Sequence, residues 1–111
     1  MTFKSCDMVY HPEADAHESV LDWPVGHFHW SVSSTGQRYI WMILPRQDND
    51  AGAPCCIPIR PVSEGETRAS WAWDGNLERP TLTPSVLHAP SKPESPYHWH
   101  GFVTAGRMVG C

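Results

Sequence analysis

The chain has 111 residues, enough for one small domain and too few for two, and its 11 prolines, 8 glycines and 6 tryptophans disfavour long helices and favour short strands joined by rigid turns. Net charge is −4 and the eight lysines and arginines are scattered singly, which excludes the basic footprint of a nucleic-acid-binding surface. No apolar run is long enough to span a membrane and the N-terminal residues lack an apolar secretion region, so a cytoplasmic protein, or phage or plasmid cargo acting there, is expected.

The expected fold is all-β: a compact, mainly antiparallel small sheet or sandwich with long Pro/Gly-rich loops, forming a single domain over residues 1–111. Residues 1–24 are a poorly patterned, acidic N-terminal segment and residues 25–111 the β core. Within the first segment, residues 12–20 (PEADAHESV) suit a short helical turn opened by proline. His11 and His17 read as solvated.

Residues 27–33 (HFHWSVS) set His27, His29, Ser31 and Ser33 against Phe28, Trp30 and Val32, the period of a strand with one polar and one buried face. A turn at 34–37 and the apolar run 38–44 (RYIWMIL) complete a predicted hairpin. Residues 45–54 read as a polar loop. Residues 55–60 (CCIPIR) return as a short strand that Pro58 confines to an edge or a kink.

The chain has four cysteines and no Cys-x-x-Cys, and reduced thiols are expected in a cytosolic protein. Cys55 and Cys56 point to opposite faces if extended, so one of them, Cys56, is a candidate metal ligand. Further on, Asp74-Gly75-Asn76 marks a turn after Trp71 and Trp73. Pro80 and Pro84 hold the residues before them extended, fixing the backbone around Ser85. Residues 97–104 (YHWHGFVT) alternate into a strand that turns back at Ala105-Gly106.

Two histidine pairs carry the chemistry. His27 with His29, and His98 with His100, each stand at i and i+2, which places two imidazoles on one strand face. If the two strands pack near each other, His27, His29, His98 and His100, with Cys56, would offer nitrogen and sulfur ligands to Zn2+. The main expectation is therefore a small zinc-binding β protein with a His-rich site, acting as a hydrolase. A second reading is a metal-free serine hydrolase in which Ser85 attacks and His98 or His100 takes its proton, oriented by Asp74 or Glu78. A third is a non-enzymatic phage accessory protein binding a host protein through its tryptophans. A peptide or protein substrate is the expected partner, with no nucleic acid and no membrane. Exposed sheet edges would also allow a homodimer.

The stretch 71–86 (WAWDGNLERPTLTPSV), followed by a histidine-containing strand ending in Gly-Arg-Met-Val, resembles the DUF6527 family of small phage and mobile-element proteins, sometimes labelled ammonia monooxygenases. Relatives are also encoded beside bacterial ubiquitin-like conjugation genes, where a peptidase role has been proposed, so the resemblance implies that the expected hydrolase acts on peptide or isopeptide bonds. The resemblance implies that Ser85 stands at the serine of a Pro-Ser-Ile motif, that His98 or His100 stands at a strand histidine, and that Cys55 and Cys56 fall near a zinc-binding cysteine cluster. The chain departs from the pattern in lacking spaced Gly-Cys and in carrying histidines where relatives have cysteine.

Overall fold

A computed structural model describes residues 3–12, 23–46, 52–88 and 98–111. The described residues carry ten strands: β1 (Cys6–Asp7), β2 (Val9–Tyr10), β3 (His27–Val32), β4 (Arg38–Pro45), β5 (Gly52–Pro58), β6 (Ala72–Trp73), β7 (Leu82–Thr83), β8 (Val86–His88), β9 (Trp99–Thr104) and β10 (Arg107–Gly110). They form two four-stranded sheets, β1-β10-β9-β8 and β2-β3-β4-β5, and a two-stranded ribbon, β6-β7. The fold is all-β and compact, its strands pairing antiparallel except that β2 lies parallel to β3, and an isolated parallel bridge joins Ile59 to Trp71.

Local chemistry decides the two hairpins. In β3 the alternation predicted from sequence holds only at the start: Phe28 is fully buried while His27 and His29 are half-buried on the other face, but Trp30 is half-buried, its ring against Trp73, and Val32, expected inward, is 56% exposed. β3 then pairs antiparallel with β4, Phe28 opposite Met42 and Trp30 opposite Ile40. β9 and β10 pair with Val103 opposite Met108. Ala105 and Gly106 both take positive φ, 48° and 78°, the backbone that a two-residue turn needs to match the twist of its strands.

One continuous core joins the sheets. Phe28, Ile40, Met42, Leu44, Cys55 and Ile57 from one sheet meet Val86, Trp99, Val103 and Met108 from the other, with Trp71 and Leu82 between them. The chain crosses from sheet to sheet at Met8: β1 pairs with β10 and β2 with β3, and the Met8 N–H donates to the Gly106 carbonyl. Gly26 lies against this crossing, where any Cβ would overlap the Asp7 carbonyl.

Two expectations change. β5 begins at Gly52 rather than Cys55, because an edge strand tolerates the missing N–H of Pro54; Pro58 does stand on an edge strand. His11 is not a solvated side chain: its ring stacks on Trp23 at 3.8 Å and bonds His27, Nε2 to Nδ1, at 2.7 Å. Residues 13–20 of the predicted helical turn, His17 among them, and the tip of the loop expected at 45–54 lie outside the described residues.

Candidate active site

Ser85 is placed by its neighbours on both sides. Val86, next in the chain, is buried in the core, and the Trp71 indole N–H donates to the Ser85 carbonyl at 3.1 Å. A buried indole needs an acceptor, and Trp71 finds it in the backbone of this serine. Trp71 is itself tied to the other sheet, its N–H donating to the Pro58 carbonyl and its carbonyl accepting from the Arg60 N–H. The Ser85 side chain is half-buried on the outer side of the sheet.

His100 arrives from the adjacent strand. Along β9, Trp99, Gly101 and Val103 are buried whereas His100, Phe102 and Thr104 face outward. Gly101 permits this arrangement, since a Cβ there would overlap the Val109 carbonyl and the Trp99 ring. His100 stands opposite Leu87 in the β8-β9 ladder, so its ring reaches back to Ser85. Ser85 Oγ and His100 Nε2 are 3.0 Å apart. With Nε2 accepting from the hydroxyl, the imidazole proton resides on Nδ1, the tautomer a general base requires.

The other expected site residues lie elsewhere. His98 shares a face with His100 but packs its ring 5.3 Å from Phe3. Burial, and after it the neighbouring His98, holds His88 below the usual histidine range. Asp74 uses Oδ1 to accept the N–H groups of Asn76 and Thr81, closing the turn predicted there. Neither Asp74 nor Glu78 bonds His98 or His100.

The zinc expectation is corrected. Among the described residues no group of three His, Cys, Asp or Glu side chains is placed to hold a metal ion. The physical reason is that the histidine pairs stand on different sheets. His27 bonds His11, and burial, then the charge of His11, lowers its pKa. His29 lies edge-on to Trp23 at 5.2 Å and stacks on Trp41 at 6.4 Å. Cys56 faces a separate groove of about 430 Å3 with Ser31, Tyr39, Trp41 and Arg68, and burial raises its pKa. Cys55, turned to the core, is pushed up to about 12, which works against the thiolate that a metal needs.

Sequence reasoning missed Trp71 as the residue that fixes Ser85. The available signal was a tryptophan inside the quoted motif, read only as core. It is core, 9% exposed, and its indole N–H also has a defined task.

An all-β scaffold presenting a serine hydroxyl to an imidazole from the neighbouring strand has the arrangement by which serine hydrolases generate a nucleophile. Residues 26–111 match the model of a family described as Bacterial ubiquitination-like system serine protease (BubE). The match spans β3 to β10, and the chain belongs to this family. This replaces the DUF6527 phage and mobile-element family as the chain's assignment, and with it the reading as phage cargo. No curated protein and no solved structure matches the chain. Among the described residues no helix is long and apolar enough to cross a membrane.

Proposed function

We propose that this protein is a metal-free serine hydrolase that cleaves amide bonds in polypeptides, peptide or isopeptide, with Ser85 as nucleophile and His100 as general base. The observation that carries the reading is the 3.0 Å contact between Ser85 Oγ and His100 Nε2, and membership of a serine protease family supports it. As Oγ bonds to the substrate carbonyl carbon, its proton passes to Nε2. The imidazolium then gives that proton to the departing amine as the C–N bond breaks, leaving an ester on Ser85. Water, deprotonated by the same nitrogen, hydrolyses the ester and restores the hydroxyl.

An unactivated serine reacts poorly with fluorophosphonates, whereas one paired with imidazole reacts readily. The wild-type protein should gain one phosphonyl adduct by intact mass, mapped to Ser85, and S85A should gain none. An adduct that persists in S85A, or an inert wild-type protein, would refute the assignment.

A further inference from the structure

We propose that the free edge of β8 binds the substrate as an added β-strand and that the substrate residue beside the scissile bond is apolar; this rests on the reading of Ser85 and His100 above. Among the described residues β8 is the terminal strand of its sheet. Antiparallel ladders alternate between pairs that exchange hydrogen bonds and pairs whose backbone groups point the other way. The His100 carbonyl accepts from the Cys111 N–H, on the β10 side. Leu87, opposite His100, therefore turns its own N–H and C=O away from β9 and toward the open edge. An extended peptide laid along that edge meets one donor and one acceptor two residues from the nucleophile, the geometry of strand addition.

The outer face supplies the side-chain preference. Leu87, Phe102 and Val109 are 54%, 48% and 38% exposed. Leu87 is opposite His100, Phe102 follows His100 by two residues, and Val109 is opposite Phe102. One exposed leucine needs no explanation. Three apolar side chains grouped on the face that carries Ser85 and His100 form a surface on which an apolar substrate residue loses water. The occupant is a polypeptide, because the edge offers a backbone donor and acceptor that an alkyl chain leaves unpaired.

The test keeps the protein unaltered and varies the probe. Rates of Ser85 modification are compared for an alkyl fluorophosphonate, for acetyl-Ala-Ala-Leu diphenyl phosphonate, for its aspartate analogue, and for leucine probes N-methylated at each amide in turn. The leucine probe should react about tenfold faster than the aspartate one, and at least one N-methylation should slow it about tenfold, the size expected for one lost hydrogen bond. Equal rates across the peptidyl probes would overturn the proposal while leaving Ser85 and His100 intact. A leucine-probe rate that falls as protein concentration rises would also overturn it, since a second copy would then hold the edge. If the alkyl fluorophosphonate leaves Ser85 unmodified, the Ser85–His100 reading fails. The edge is then read by titrating acetyl-Ala-Ala-Leu-amide into 15N-labelled protein: a shift at the Leu87 amide sustains strand addition, and an unmoved Leu87 amide overturns it.

Discussion

At Ser85 three constraints converge: the buried Val86 anchor, the Trp71 indole on its carbonyl, and His100 on its hydroxyl. In the proposed reaction Trp71 would touch no reacting atom and would act as a positioning residue. Replacing it by phenylalanine keeps most of the buried ring and deletes the N–H. We expect W71F to fold and Ser85 to react with fluorophosphonate roughly three- to tenfold more slowly, in line with about 1 kcal/mol for one hydrogen bond. The pH profile of that reaction should keep its midpoint, because His100 is untouched; an unaltered rate would reduce Trp71 to packing alone. Sequence singled out Ser85, His98 and His100 together and left open which imidazole reaches the hydroxyl. Residues at i and i+2 share a face, so periodicity is blind to that choice; the offset between β8 and β9 makes it, setting His100 opposite Leu87.

Strand β9 holds both kinds of information, the outward His100 and the inward Trp99, and Gly101 lets them coexist. Alanine at 101 would press its Cβ into the Val109 carbonyl and the Trp99 ring. Because one obstacle is backbone and the other a fully buried ring, the strand has to shift. The expected cost is about 1–3 kcal/mol, measured as a lower urea midpoint for G101A, with slower Ser85 modification as His100 moves with it. A midpoint equal to wild type would show that β9 has room for the added methyl group.

The hairpins β3-β4 and β9-β10 were legible because each has several alternating residues and a turn that admits positive φ. The two-residue strands β1, β2 and β6 were not, since two residues show no period and their pairing is fixed by distant partners such as Arg107 for Asp7. The start of β5 was masked by Gly52 and Pro54, which read as loop residues and are accommodated on an edge.

Across the whole molecule, the division into two sheets explains why a zinc site fails although every proposed ligand type is present. Alternation shows which residues share a strand face and says nothing of which faces meet. His27 and His29 stand on β3 in one sheet, whereas His100 stands on β9 in the other and His98 immediately precedes that strand. The same burial leaves a trace in stability. His27 and His88 are both held below the ordinary value of 6.5, chiefly by burial and then by a neighbouring histidine. As pH falls below about 6.5 the unfolded chain therefore takes up these protons first, which favours unfolding. Stability from these groups should be level above that pH and decline below it until the folded-state values are passed. Thermal midpoints measured between roughly pH 7.5 and 5.5 should fall on acidification, and less steeply in H27N and H88N. An equally steep fall in both variants would place the acid sensitivity elsewhere.

The proposed activation of Ser85 by His100 needs no metal ion. Its most direct test is the second-order rate of Ser85 phosphonylation by an alkyl fluorophosphonate, measured with a chelator present, in the wild-type protein and in H100A. A chelator-independent wild-type rate that drops by about 100-fold or more in H100A is expected, the lower range for loss of a general base. A rate in H100A equal to wild type, or a wild-type rate abolished by the chelator, would contradict it.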